Sequence, residues 1–460
     1  VSPVSPQPLS DRFRFRTPDA LRARASELGL DLPYSDRVDL LFARGQVAGH
    51  SVPNRLVAQP MEGCDGHPSG APGDLTIRRY LRFAEGGYGL IWFEATSVLA
   101  NARANPHQLC LSPDTMPAFR CLVARTRDAA TRRFGSGHQP YCVVQLTHSG
   151  RFSRTALPGQ RKAACHNPLL DREPLPVWTD DELDRVRDAM VEGARLAAEA
   201  GFDAVDIKAC HGYLLHELLG ARTRPHSRYG GPFENRARLL LETVQAVRAE
   251  VPGIDVAVRM NATDGLPFPW GFGVTVDDRA AIDLEEPLRL THALIEAGCS
   301  LLNVTAGIPT YGPHVNRPFD RPVAGTPAPP EHPLAGVVRL LGLAASVQAA
   351  AGSVPVVATG LSWLRQFWPH VAAALLERGM STFAGLGRGA FAYPDAPADL
   401  MTTGSLSPAK CCIACSRCTE LMRLGSTAGC AVRDHPLYSA LHRDAVTRAE
   451  GAARREGGPS

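Results

Sequence analysis

The 460-residue chain carries no strong excess of either charge: 49 lysines and arginines stand against 46 aspartates and glutamates, a formal net charge of +3, and no polybasic run occurs. A balance of that kind sets up no long-range field, which argues against nucleic acid and anionic membrane surfaces as partners. No apolar stretch is read as long enough to span a bilayer, and the first residues, VSPVSPQPLSDRFRFR, lack the apolar middle of a secretion signal. A cytoplasmic location is therefore expected. A disulfide rhythm is missing too. Of twelve cysteines, Cys64, Cys110, Cys121, Cys142, Cys165, Cys210 and Cys299 are scattered without pairing pattern, as in a reducing compartment. There is no internal repeat of solenoid period, and the charged, small-residue end (449–460) is expected to be disordered.

The hydrophobic share of 44% and the length are ample for a sizeable core. Eight short apolar, often β-branched runs recur at 56–60, 89–98, 141–147, 204–209, 255–260, 301–305, 354–358 and 382–386. Such runs suit strands of a parallel sheet buried on both faces. Helical segments lie between most of them. One is 180–200, with Thr179 and Glu182 spaced as a capping box and Gly201 as its stop; another is 234–250. Strand then helix, eight times, predicts an α/β (β/α)8 barrel over 53–393, with a leader at 1–52 and an extension at 394–460. A doubly wound sheet is the competing fold, because Gly385-x-Gly387-x-x-Ala390 matches a dinucleotide fingerprint. No strand with an acidic end follows it at the required distance. A Pro-rich insertion at 309–333 follows the sixth strand, which makes it a candidate lid or substrate wall, with a solvated surface loop as the alternative.

The extension holds the densest chemistry. Cys412, Cys415 and Cys418 form a C-x2-C-x2-C run, and Cys430 follows after eleven residues. Three thiolates from one loop and a fourth from beyond it suit the corners of a 4Fe–4S cubane. Four thiolates also suit zinc, which stays as the alternative.

In a barrel, function gathers at the carboxyl ends of the strands. There the chain places Gln145, His148, Lys208, His211, Tyr213, Arg259 and the turn Gly385-Leu386-Gly387-Arg388-Gly389. The glycine turn lets backbone amides approach a phosphate, with Arg388 adding charge. Arg259 ends a strand that must be buried, so its guanidinium needs an anion. Gln145 is an amide among apolar neighbours, suited to a donor–acceptor edge such as a flavin pyrimidine, or to a core amide's role. Lys208, His211 and Tyr213 put a cation, an imidazole and a phenol within six residues, a set able to polarise a carbonyl and deliver a proton.

Together these residues resemble the old yellow enzyme family of FMN-containing barrels, within it the iron–sulfur branch of the 2,4-dienoyl-CoA reductase and trimethylamine dehydrogenase types. The resemblance rests on Pro53-Asn54-Arg55-Leu56-Val57 leading to Gln59-Pro60-Met61, on Gln145-Leu146-x-His148-x-Gly150-Arg151, and on His211-Gly212-Tyr213-Leu214. Arg222-Thr223, Tyr229-Gly230-Gly231-x-x-Glu234-Asn235-Arg236, Gly385-x-Gly387-Arg388 and the cysteine run complete it. It implies FMN across the barrel mouth beside Pro60, Met61 and Glu62, with Gln145 and Arg259 at the pyrimidine and Gly360, Gly385, Gly387 and Arg388 toward the phosphate. It implies catalysis by Tyr213 as proton donor, with His211 and Lys208 holding the electron-withdrawing group of an α,β-unsaturated carbonyl or enoyl substrate.

Three departures qualify what the resemblance implies. Lys208-x-x-His211 replaces the usual His-x-x-His or His-x-x-Asn pair, so the activating group is an ammonium. Glu62 stands where relatives carry Cys or Thr beside the flavin and where trimethylamine dehydrogenase has its flavin-bonding cysteine, so noncovalent FMN is expected, with Cys64 the residue that challenges this. Those enzyme types also continue into dinucleotide-binding domains, whereas this chain ends thirty residues after Cys430. Electrons are then expected from NADH or NADPH docking on the flavin, or from a separate reductase or ferredoxin. Cys411 is expected beside the cluster, not on it. Two rival functions stay open: an amine or alcohol dehydrogenase or demethylase passing electrons outward, and a zinc-knot barrel acting as a scaffold. A homo-oligomer is a prior only.

Overall fold

The eight apolar runs do form parallel strands: β1 (Leu56–Ala58), β2 (Leu90–Ser97), β3 (Tyr141–Thr147), β4 (Ala204–Ile207), β5 (Asp255–Asn261), β6 (Leu301–Thr305), β7 (Val356–Ala358) and β8 (Phe383–Leu386). In the computed structural model, which describes residues 12–155, 161–171, 173–224, 226–276 and 281–456, they close into one barrel with β8 paired to β1. Nearly every strand residue is buried, because one face packs into the barrel and the other against helices. Between them run α1 (Asp74–Glu85), α2 (Met116–Phe134), α3 (Asp180–Ala200), α4 (Phe233–Glu250), α5 (Glu285–Glu296), α6 (Pro333–Ala351) and α7 (Trp368–Glu377); the short pair Arg388–Ala392 and Ala396–Thr403 follows β8.

Local signals account for the helix ends. Thr179 Oγ1 accepts from the Glu182 N–H at 3.3 Å, the Glu182 carboxylate accepts from the Thr179 N–H at 2.9 Å, and Gly201 stops α3 at φ +89°. The lower barrel core stacks Val57, Leu90, Trp92, Tyr141, Val143, Ala204, Ala257, Leu301, Val357 and Phe383. Val47 and Val52 join it from an antiparallel hairpin, Gly45–Val47 with His50–Val52, so part of the leader plugs the barrel's amino end.

Two expectations are corrected. Helix α6 has the length and mean hydropathy, 1.6, of a membrane span, although no such stretch was read from the sequence. Its apolar face is buried on β6 and β7, and 56% of the window lies inside the fold, which explains that hydropathy as a core helix's. The chain end is also ordered: a helix runs over Leu437–Glu456, through most of the segment expected to be disordered, with Tyr438 and Ala445 packed on Leu421 and Ala431.

That helix follows the cysteine segment, which Asp434 ties to the barrel. Its carboxylate accepts from Arg78 at 2.7 and 2.8 Å and from Arg82 at 2.6 Å, both on α1. Burial raises its pKa, and the two arginines more than reverse this, holding it below the ordinary value. Asp434→Asn should cost about 1.5 kcal/mol or more of local docking and speed limited proteolysis between 430 and 456 roughly tenfold. An unchanged cleavage rate would show that the apolar contacts suffice.

Candidate active site

The carboxyl ends of the strands open into a cavity of about 420 Å³, a size suited to a cofactor with part of a substrate. Pro60, Met61, Glu62, Gln145, Lys208, His211, Tyr213, Arg259, Gly360, Gly385, Gly387 and Arg388 all line it, so the residues expected for flavin and for catalysis share one site. His148 does not line it; it is buried, edge-on to Trp178 at 5.0 Å, and burial lowers its pKa to about 4.

On one side the cavity is built of donors. Gln145 Nε2 donates to Asp206 Oδ2 at 2.6 Å, and the Arg259 N–H donates to Asp206 Oδ1 at 2.7 Å. Arg259 Nε is buried with no partner, and burial lowers the guanidinium's pKa. Toward β8, Arg388 Nη1 and Arg317 Nη2 are buried and unpartnered as well; burial and the nearby Arg388 pull Arg317 down to about 9. These orphaned donors require an acceptor-rich anion. The backbone leaves room for one. A Cβ on Gly387 would lie 2.9 Å from Met61 Sδ, and Gly360 sits at φ +97° with its Cβ position 2.8 Å from Leu340. The donors and the glycine cradle thus fit an acceptor-rich, anionic cofactor of the FMN kind.

The other side carries titratable groups. Lys208 holds its ammonium 3.4 Å from the centre of the Tyr213 ring, a cation–π contact, with no carboxylate in ion-pair range among the described residues. Burial lowers the Lys208 pKa, offset in part by Cys210 and Glu62. Burial, with Glu62 and Cys64 nearby, raises that of Tyr213, so the phenol stays protonated. Glu62 Oε1 accepts from Asn105 Nδ2 at 3.1 Å; burial raises its pKa against the pull of Lys208.

His211 occupies the left-handed region at φ +65°, followed by Gly212 at +80°. Its N–H donates to Asn261 Oδ1 at 3.3 Å, and the Gly212 N–H donates to His216 Nδ1 at 2.8 Å. His216 Nε2–H in turn meets Asp264 Oδ1 at 2.8 Å, which also accepts from Asn261 Nδ2 at 2.8 Å. This network holds the turn that presents His211 and Tyr213. Asn316 Nδ2 donates to the Ala306 carbonyl at 3.2 Å, identifying it as the amide nitrogen, so His211 Nε2 at 2.7 Å accepts from it. His211 is therefore neutral with its proton on Nδ1, consistent with a pKa lowered by burial, Arg259 and Lys208.

Cys412, Cys415, Cys418 and Cys430 line a second, small cavity together with Arg388 and Phe391. Arg388 thus borders both. Cys411 does not line it; its Sγ contacts the Ser407 carbonyl at 3.4 Å. Among the described residues no three His, Cys, Asp or Glu side chains converge tightly enough for a single ion. Thr419, Met422, Arg423 and Gly425, from the same segment, form part of the larger cavity's wall, as do Asn316, Arg317 and Pro318 of the Pro-rich insertion. Sequence reasoning did not find Asp206, Asn105, Asn316 or Arg317. An acid inside an apolar strand was a usable signal for Asp206; the loop residues offered none.

A parallel barrel with donors on one side of its mouth and a phenol and ammonium on the other defines a flavin-dependent oxidoreductase. Residues 41–269 match the model of the NADH:flavin oxidoreductase / NADH oxidase family. NADPH dehydrogenase of Geobacillus thermodenitrificans is 31% identical over 356 residues, 73% of this chain and 94% of that protein. The chain belongs to this family, the old yellow enzymes, and is an FMN-dependent NAD(P)H oxidoreductase. Among solved structures, a 2-naphthoyl-CoA reductase aligns with TM-score 0.69 at 20% identity over 88% of this chain, which spans 58% of that one. Morphinone reductase aligns at 0.61 and 20% identity, over 86% of this chain and 97% of its own. At such identities these two likenesses concern the fold.

Gly385 tests the cradle. A Cβ there would lie 2.0 Å from Gln59 Nε2, whose side chain is bonded to Asn303 across the barrel at 2.8 Å. Gly385→Ala should lower stability by about 1–3 kcal/mol and weaken FMN retention, read by thermal melting and flavin content. A variant that melts as wild type would show that Gln59 moves aside freely.

Proposed function

We propose that this enzyme reduces the C=C bond of an α,β-unsaturated carbonyl or enoyl compound. The observation that carries the proposal is the pairing of the Tyr213 phenol with the Lys208 ammonium at the mouth of a flavin cavity. Gln145, Arg259, Gly360, Gly385, Gly387 and Arg388 would hold FMN, whose chemistry when bound is hydride delivery. The substrate carbonyl oxygen accepts from Lys208 and from the His211 Nδ1–H, which stabilise the negative charge that develops there. Tyr213 then gives its proton to the α-carbon, and the ammonium against its ring stabilises the phenolate left behind. Cys412, Cys415, Cys418 and Cys430 would hold a 4Fe–4S cluster, supplying single-electron exchange. The C-x2-C-x2-C run with a fourth cysteine on the same small cavity supports this reading.

One observation favours a second reading. Glu62 is the sole carboxylate among the described residues lining the cavity, and a desolvated carboxylate there could accept a proton from an amine or alcohol undergoing oxidation.

Tyr213→Phe should slow substrate reduction roughly 10²–10⁴-fold while flavin reduction by NAD(P)H stays within about twofold in stopped-flow traces. Equal slowing of both half-reactions would remove the proton-donor role. The ammonium is the form that acts, and its pKa is lowered, so the rate should fall as pH rises through the lowered Lys208 value; Lys208→Met should abolish that limb. Flavin bleaching by amines but not by NAD(P)H would favour the second reading. Anaerobic protein should contain about four irons per chain, lost in Cys415→Ser and retained in Cys411→Ala. Iron lost in Cys411→Ala would reassign the ligand set.

A further inference from the structure

Asp206 is fully buried in β4 and takes no part in the chemistry above. Its carboxylate gathers donors from three neighbouring strands: Trp92 Nε1 of β2 at 2.9 Å and Gln145 Nε2 of β3 at 2.6 Å on Oδ2, and the Arg259 N–H of β5 at 2.7 Å on Oδ1. The strand register places Gln145 directly opposite it. Two of these three donor residues line the cavity on the side built for the flavin pyrimidine.

We propose that Asp206 is a positioning residue that fixes which way round the Gln145 amide faces the cavity, and so which edge of a planar heterocycle the site accepts. An amide has one donor end and one acceptor end. With Nε2 drawn to the carboxylate, the amide cannot turn over without setting its carbonyl oxygen against a carboxylate oxygen at hydrogen-bond distance, two acceptors with no proton between them. Among the described residues Oε1 has no hydrogen-bond partner, and it is left as the amide's acceptor. The site therefore demands an N–H from its ligand at this point, which an imide N3–H supplies and a ring position without hydrogen does not. The same carboxylate pins the backbone of Arg259, so amide and guanidinium are held in fixed relation. This inference rests on the reading that Gln145 meets the pyrimidine edge of FMN. The plainer role, a crosslink that only stabilises four strands, makes a different prediction.

The test uses protein stripped of flavin and titrated with FMN and with 3-methyl-FMN, which lacks the N3–H, following quenching of flavin fluorescence. Wild type should prefer FMN at least tenfold. In Asp206→Asn, where the amide can turn over, the preference should fall below threefold and FMN should bind about tenfold more weakly. Trp92→Phe, which removes a donor but keeps the carboxylate, should retain the preference. A lower melting temperature in Asp206→Asn with the preference intact would overturn the proposal and leave Asp206 as a crosslink. Where that variant yields no folded protein, Asp206→Ser carries the same expectation. Wild type binding both flavins equally would overturn it without any variant. Gln145→Met keeping the preference would instead remove Gln145 from the pyrimidine edge, and the proposal with it.

Discussion

Guanidinium groups cannot be left dry without acceptors, and the way this chain handles them divides the structure into scaffold and site. Arg79 is buried against Asp65 and Glu94, and Arg151 against Asp171 and Glu217. In both, burial pulls the pKa down and the carboxylates more than restore it. Arg259 and Arg317 show the opposite balance: burial lowers them and no described carboxylate answers within ion-pair range. Both guanidiniums are half-buried on the wall of one cavity, so their charge is answered from outside the protein, by water or by a bound anion. A bound dianionic cofactor answers it, and the family's FMN is one.

The cysteine segment is built into the barrel by hydrogen bonds to its loops. The Asp320 N–H donates to the Ala414 carbonyl at 3.1 Å, Ser416 Oγ donates to the Arg321 carbonyl at 2.7 Å, and the Ala428 N–H donates to the Gly63 carbonyl at 2.7 Å. The Pro-rich insertion is thereby clamped between barrel and cysteine loop, and its Asn316 reaches His211 while its Arg317 reaches Ser416 at 3.4 Å. One loop thus touches both the turn that carries His211 and Ser416 of the thiol cavity. Loss of order in the cysteine segment would release a wall of the cavity along with the thiols.

Much of this was legible in the residues because its causes are local. The strands are continuous apolar runs since both faces are buried, and their observed ends fall within a few residues of the expected ones; Thr179, Glu182 and Gly201 mark α3 through hydrogen bonds that span four residues or fewer. The barrel-mouth residues were legible because position at a strand's end determines access to the cavity. Contacts made across long sequence separations were not. Asp206 meets Trp92 across 114 residues, and Asn316 meets His211 across 105. The leader hairpin fills the barrel floor through Val47 and Val52, whose pattern over three-residue strands carries no periodicity to read.

The departures at Lys208 and Glu62, read from the sequence as separate oddities, belong to one electrostatic arrangement. Each moves the other's pKa toward the charged state, yet they make no ion pair, and each has a different neighbour: the Tyr213 ring for the ammonium, the Asn105 amide for the carboxylate. Direct contact would have cancelled both charges and left a neutral wall. Held apart, they keep the Lys208 side chain against the Tyr213 ring and the Glu62 carboxyl on the Asn105 amide, both on the wall of one cavity. The two departures are therefore coupled: replacing either side chain alone changes the field in which the other titrates.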